Sequence, residues 1–142
     1  MARMRALAAS GALMLATACS QLGSSGYRTT GPELAPTQAP VFVSATRDPA
    51  AAWELGVVEA HGRRSVDTLE EIVSEFRARV ASMGGDYGRI DRFDTRHDMV
   101  TETYTYGCGT PQAPMTCTGS RQVEVATLTV VGRAFRISRG TP

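Results

Sequence analysis

One segment of this 142-residue chain has the periodicity of an amphipathic helix, and it constrains the fold more than any other feature. Thr68 and Glu71 have the spacing of a capping box, in which each residue satisfies a backbone N–H of the first helical turn. Apolar residues then recur at intervals that place them on one face of a helix: Leu69, Ile72, Val73, Phe76 and Val80. A glycine pair that starts at Gly84 ends the pattern. The sequence therefore predicts a single helix with one buried face, and a Glu75–Arg79 pair on the exposed face.

Most of the chain beyond residue 40 favours strands instead. Strand-forming patterns occur in five segments: 41–43, 53–60, 87–93, 99–106 and 122–137. The first is short and predicts an edge strand, and a slip in the apolar phase of the last predicts a bulge near Ala126. The strands on either side of the helix are expected to pair in parallel, and the later strands to form antiparallel hairpins. The predicted fold class is α+β, a mixed or antiparallel sheet of about four or five strands with one helix packed on one face.

The N-terminus has the pattern of an export signal. Arg3 and Arg5 precede residues 6–18, which carry no charge and are too few to span a bilayer. The segment ends at Cys19 and resembles the bacterial lipobox, in which the cysteine is diacylated and becomes the first residue of the mature chain. A serine follows the cysteine, which implies sorting to the outer membrane. The resemblance predicts a signal peptide at 1–18 and a lipid anchor on Cys19 at the periplasmic face of the outer membrane.

The segment after the cysteine is expected to be a flexible tether, residues 19–40. Twelve of the twenty-one residues from Ser20 to Pro40 are Gly, Pro, Ser or Thr, and no apolar period runs through them. A flexible coil of this length reaches about 25 Å. The folded α+β domain is then expected at 41–142. In the alternative, ordinary signal peptidase cuts after the A-T-A sequence before the cysteine, and the protein is secreted to the periplasm without lipid.

The chain has three cysteines, Cys19, Cys108 and Cys117. If Cys19 carries lipid, an even pair remains in a compartment where thiols oxidise. Eight residues separate Cys108 from Cys117, including two prolines and a glycine, which favours a structural disulfide that closes a short hairpin loop. Thiol chemistry and metal binding are the alternatives, although neither a C-x-x-C motif nor a four-ligand zinc pattern is present.

A polar segment at 91–98 is the candidate for metal binding. It concentrates three carboxylates and one imidazole in eight residues. We expect a loop here, and its composition favours a solvated turn of mixed charge, so no metal site is predicted. In the alternative, Asp94, His97 and Asp98 converge on a cation.

Composition and motifs argue against several other functions. The 15 basic residues, all arginine, and 14 acidic residues give a net charge of +1, which provides no basic stripe for nucleic acid. The motifs of serine hydrolases, zinc proteases, P-loop proteins and dinucleotide-binding proteins are absent. No catalytic residue and no cofactor is predicted, and a small envelope enzyme with an unrecognised site is a further alternative.

Three segments follow a known pattern: an L-G-x-V strand within 53–59, a capped helix ending at 82–85, and a last strand at 126–135 with a G-x-A segment. The pattern resembles the Rcs stress-sensor outer-membrane lipoproteins (RcsF-like) and, more distantly, the YbjQ-like small α+β domains. This resemblance implies a lipid-anchored α+β domain that binds envelope proteins in stress sensing. Sensors of that family hold two disulfides, whereas Cys108 and Cys117 suffice for one.

These features together predict an outer-membrane-anchored lipoprotein with a non-enzymatic binding or stress-sensing domain. The expected partners are the membrane, through the lipid on Cys19, and an envelope protein, but no nucleic acid. The alternative is a metal-binding envelope module that uses the 91–98 loop.

Overall fold

The computed structural model describes residues 21–31 and 33–138, so the predicted signal peptide at 1–18 and the predicted lipidation site at Cys19 lie outside the described residues. Within that part of the chain there are one helix and five strands. They are β1 (Gly23–Arg28), β2 (Phe42–Ser44), β3 (Ala52–Arg63), α1 (Leu69–Ser82), β4 (Tyr87–Gly107) and β5 (Thr116–Ile137). The predicted α+β class is confirmed, although strands far outweigh the helix.

The five strands form one mixed sheet with the order β1-β3-β5-β4-β2. All neighbours are antiparallel except β2 and β4, which are parallel. The short run at 41–43 forms the edge strand β2, as predicted. The parallel pairing predicted for the strands around the helix is wrong, because β5 lies between β3 and β4 and pairs with both. β3 and β4 therefore run in the same direction but are not neighbours.

The helix begins as the sequence predicts. The Thr68 hydroxyl accepts a hydrogen bond from the backbone N–H of Glu71 at 3.2 Å, and the Glu71 carboxylate accepts one from the backbone N–H of Thr68 at 2.7 Å. At the other end, Gly84 has a φ of +83° and its N–H donates to the carbonyl of Ala81 at 2.9 Å. The left-handed conformation, which glycine adopts without steric cost, ends the helix after Ser82.

The helix packs its apolar face on the sheet. Ile72, Phe76 and Val80 are fully buried, whereas Leu69, predicted on the same face, is 44% exposed because it lies in the first turn, beyond the core. Glycines in the sheet allow the close approach. A Cβ added to Gly88 or Gly132 would lie within 2.9 Å of the Phe76 ring.

The predicted Glu75–Arg79 ion pair does not form. Glu75 instead accepts a hydrogen bond from the Ser24 hydroxyl at 2.6 Å, and Arg79 donates to the carbonyl of Gly26 at 3.4 Å. Both hydrogen bonds join the helix to β1, a strand that the sequence did not indicate. The helix face predicted to be exposed is thus partly covered by the N-terminal segment.

The predicted tether at 19–40 is wrong for the residues that the structure describes. Residues 23–28 form β1, which pairs with β3 over its whole length from Gly23–His61 to Arg28–Gly56. Leu34 packs against the core, and the N–H of Thr37 donates to the carbonyl of Ala81 at 2.9 Å. The folded domain therefore begins near residue 23 and not at 41. A composition rich in Gly and Ser predicted a coil because it lacks apolar side chains, but an edge strand also forms through backbone hydrogen bonds.

Strands β4 and β5 are much longer than predicted. They pair continuously from Arg92–Val131 to Gly107–Thr116, with no loop at 91–98 and no bulge near Ala126. The irregularities lie elsewhere, between Ile90 and Arg92 and between Glu54 and Gly56. Val125 and Leu128 are three residues apart on one unbroken strand, so their side chains point to opposite faces of β5. Leu128 belongs to the core beneath α1 and Val125 does not, which explains the slip in the apolar phase without a bulge.

Candidate binding arm

The outer parts of β4 and β5 form a two-stranded arm that extends beyond the sheet. We define the arm as residues 97–107 of β4, residues 116–126 of β5 and the connection 108–115. β3 pairs with β5 only from Thr127 onward, and β2 pairs only with 87–89 of β4. Apart from the hydrogen bond that the N–H of Arg64 donates to the carbonyl of Ala126 at the base, 2.9 Å, no described strand pairs with either outer edge of the arm. The paired residues of the arm extend about 35 Å at the usual rise per residue.

The strand sequences explain why an isolated ribbon forms here. The segment M-V-T-E-T-Y-T-Y, residues 99–106, consists mainly of β-branched and aromatic residues. A two-stranded hairpin is marginally stable by itself, so cross-strand side-chain pairs and a covalent link are needed to hold it. The structure supplies both.

The two faces of the arm differ in chemistry, because alternate residues of a strand point to opposite faces. One, the aromatic face, contains Val100, Glu102, Tyr104, Tyr106, Gly119, Arg121 and Val123. The other, the threonine face, contains Thr101, Thr103, Thr105, Thr118, Ser120 and Gln122. The arm therefore presents two surfaces of different chemistry to its surroundings.

Two tyrosines and an arginine form a cluster on the aromatic face. The rings of Tyr104 and Tyr106 are 5.7 Å apart between centroids, and the Arg121 guanidinium carbon lies 5.7 Å from the centroid of Tyr104. Arg121 also contacts Glu102 on the opposite strand at 3.4 Å. Tyr104 covers Gly119, where an added Cβ would lie 2.9 Å from the ring. An aromatic ring over a cross-strand glycine stabilises a position that has no side chain of its own.

The predicted disulfide is confirmed and lies near the end of the arm. Cys108 and Cys117 are bonded, with their Cα atoms 5.8 Å apart. Within the closed loop the N–H of Cys108 donates to the carbonyl of Met115 at 3.1 Å, and the N–H of Ala113 donates to the carbonyl of Thr110 at 3.0 Å. The loop is thus an ordered turn with internal backbone hydrogen bonds.

Charge is distributed unevenly along the arm. From Tyr104 to Ser120 no residue is charged, and three large apolar or aromatic side chains are exposed in this stretch. Tyr104 is 44%, Tyr106 48% and Met115 64% exposed. We call residues 104–120 the tip segment. The charged residues of the arm all lie between this segment and the sheet.

A ladder of alternating charges runs along β4 next to the arm. Arg92 contacts Asp94 at 2.6 Å and Arg96 contacts Asp98 at 2.9 Å, because residues two apart on a strand share a face. The hydrogen bond to Asp94 raises the pKa of the Arg92 guanidinium above its ordinary value. These ion pairs are exposed, so each contributes little to stability.

The alternative of a metal-binding loop at 91–98 does not fit the structure, because these residues belong to strand β4. Asp94 and Asp98 lie four residues apart on an extended strand, about 13 Å, and His97 points to the opposite face. Each has a partner of its own: Nδ1 of His97, for example, lies 3.0 Å from Oε1 of Glu124. No group of three His, Cys, Asp or Glu side chains in the described part of the chain could hold a metal ion.

The sequence predicted the disulfide of this region but not the arm. The signal that could have revealed it is a period of two: charged residues take every second position from Arg92 to Asp98, and Thr alternates with Glu or Tyr over 101–106. The charged half of that pattern resembles a loop in composition, and only the pairing with the equally long β5 shows it to be a strand.

Comparison with known proteins gives no relative for this arrangement: no family model, no curated protein and no solved structure matches the chain. Among the residues described, no helix is long and apolar enough to cross a membrane.

Proposed function

We propose that this protein is a non-enzymatic lipoprotein of the outer membrane that binds another component of the cell envelope through its β4–β5 arm. The observation that carries the proposal is the arm itself. It extends away from the sheet, contributes nothing to the core beneath α1, and is fixed at its end by the Cys108–Cys117 disulfide. A peripheral element that adds nothing to the core beneath α1 and yet is covalently reinforced is most simply explained as a contact surface.

The anchor in this proposal rests on the N-terminal sequence. Arg3 and Arg5, the uncharged segment 6–18 and the small residue before Cys19 support export followed by lipidation. Cys108 and Cys117 are joined to each other, so Cys19 is the one cysteine left over in the chain. An unpaired cysteine at this position in an exported protein is explained by acylation. The relationship to the Rcs stress sensors stays a prediction, because only the sequence pattern supports it.

The anchor is tested by Cys19→Ala in the full chain, expressed in a Gram-negative cell. The variant should move from the outer-membrane fraction to the soluble periplasm and should lack the mass of the acyl chains. The control is the double variant Cys108→Ser with Cys117→Ser, which should remain in the membrane. If Cys19→Ala still fractionates with the outer membrane, the anchor is elsewhere. If the wild type is soluble, the protein is secreted without lipid.

The binding role of the arm is tested by a photoreactive amino acid in place of single residues in living cells. At Tyr106 on the arm we expect crosslinks to a component of the envelope, either a protein or a lipid. At Arg77, an exposed residue of α1, we expect none. Equal crosslinking at the two positions would show that the arm is not the contact surface.

A further inference from the structure

The topology fixes where the arm lies relative to the lipid anchor. β1 begins at Gly23, which pairs with His61, and His61 pairs with Thr129. β3 runs from there toward Arg63, the residue opposite Thr127 at the base of the arm. The first residue of the sheet therefore lies at the same end as the arm, and β1 leads away from that end.

The chain between the anchor and the sheet is short. Cys19 precedes Gly23 by four residues, which span at most about 14 Å when fully extended. The end of the arm at Thr116 lies thirteen residues beyond Thr129 along β5, about 43 Å from the level of Gly23. If Cys19 is at the membrane surface, the arm is longer than the distance that separates the sheet from the bilayer.

The arm cannot cross the bilayer, because its two outer edges carry backbone N–H and C=O groups that have no partner in the hydrocarbon region. An arm that lies along the surface or obliquely to it keeps these edges out of the hydrocarbon region and can bring its outer end to the membrane surface. This step rests on the proposed lipid anchor; the next depends only on the chemistry of the arm.

The tip segment, residues 104–120, is suited to the interface between lipid and water. It has no charged residue, so no ion has to leave water. Tyr104 and Tyr106 are exposed there, and tyrosine favours the headgroup level, where the ring meets acyl chains and the hydroxyl stays hydrated. Met115 adds an exposed apolar side chain in the loop.

Four residues of the loop present no free backbone N–H group. Cys108 and Ala113 use their N–H groups within the loop. Pro111 and Pro114 have no N–H to desolvate. Arg121, the first charged residue after the tip segment, contacts Glu102, but its side chain is 64% exposed, so a lipid phosphate can also reach the guanidinium.

From this geometry we propose that the tip segment inserts shallowly into the headgroup region of the membrane that holds the lipid anchor. The arm is then a second membrane contact, which sets the orientation of the domain on the surface. A protein partner for the tip segment is the competing outcome of the test.

The test uses tryptophan fluorescence in the full-length lipidated chain, reconstituted into vesicles of phosphatidylethanolamine and phosphatidylglycerol with brominated acyl chains. The natural Trp53 pairs with Arg136 at the opposite end of the sheet, about 60 Å along β5 from the partner of Tyr106. In one variant Tyr106→Trp is combined with Trp53→Phe. In a second, Met115→Trp is combined with Trp53→Phe, in case the first disturbs the arm.

We expect blue-shifted emission and quenching by the brominated lipid for the introduced tryptophans, and neither change for the natural Trp53. Quenching of an introduced tryptophan no stronger than that of Trp53, in protein that floats with the vesicles, would overturn the inference and leave the anchor intact. Wild-type protein that carries no lipid and does not float would overturn the proposed anchor instead. Protein crosslinks from Tyr106 without lipid quenching would assign the tip segment to a protein partner.

Discussion

The packing of Phe76 on a sheet glycine leads to a sharp prediction for the core. The ring is fully buried, and a Cβ built on Gly88 would lie 2.7 Å from its Cε1 atom and 3.3 Å from Cγ2 of Val80. Removing the ring and adding the methyl group therefore affect the same space. We expect the two substitutions, Phe76→Ala and Gly88→Ala, to be strongly coupled.

The magnitudes follow from the contacts. Phe76→Ala should lower the free energy of unfolding by about 3–5 kcal/mol, because it leaves a cavity in the core. Gly88→Ala alone should cost about 1–3 kcal/mol by overpacking against the ring. In the Phe76→Ala background this clash is absent, and the new methyl group fills part of the cavity. The second substitution should then be neutral or stabilising, giving a coupling energy of about 1–3 kcal/mol.

Urea denaturation of the wild type, the two single variants and the double variant measures this coupling. Gly107→Ala is the matched control, because nothing lies within 4 Å of a Cβ at that position of the same strand. Its effect should be the same with and without Phe76. If Gly88→Ala destabilises both backgrounds equally, the ring does not lie on Gly88, and the packing of α1 on the sheet described above is refuted.

Two further predictions concern the parts of the domain outside the core. Ser24→Ala should cost about 1 kcal/mol in urea denaturation, since it removes the 2.6 Å hydrogen bond to Glu75 that joins β1 to the helix, whereas Ser25→Ala on the exposed face should change stability by less than about 0.5 kcal/mol. If Ser24→Ala and Ser25→Ala lower the stability equally, the contact between β1 and the helix is contradicted. Replacing Cys108 and Cys117 by serine should destabilise the tip of the arm by about 2.5 kcal/mol, visible as faster amide exchange there. Exchange in the core should not change, and faster exchange throughout the domain would mean that arm and core unfold together.

The sequence predicted the parts of the fold where a local rule decides the structure. The capping box at Thr68, the buried stripe through Phe76 and the glycine after the helix all act within a few residues, and all are confirmed. The position of β5 between β3 and β4 could not be predicted in this way. It depends on which strand best fills the centre of the sheet, a property of the whole chain.

The errors at β1 and at 91–98 have a common physical cause. In both segments the strand is held by backbone hydrogen bonds to a neighbour, while the side chains carry little apolar signal. Gly and Ser in β1 resemble a linker, and the Arg and Asp residues of β4 resemble a loop. The amino-acid composition of a segment indicates how much apolar surface its side chains can bury. It therefore does not reveal a strand whose two faces are both hydrated, or one made mainly of Gly and Ser.

Correcting the tether changes what the domain can do at a membrane. A coil of 21 residues would allow the domain to rotate freely, and the direction of the arm would then carry no meaning. With β1 paired to β3 from Gly23 onward, the sheet has a fixed edge within about 14 Å of Cys19. The Ser24–Glu75 hydrogen bond and the pairing of Arg28 with Gly56 hold this edge at both ends. If Cys19 carries the proposed lipid, the N-terminal strand couples the direction of the arm to the position of the anchor more closely than a flexible tether of 21 residues could.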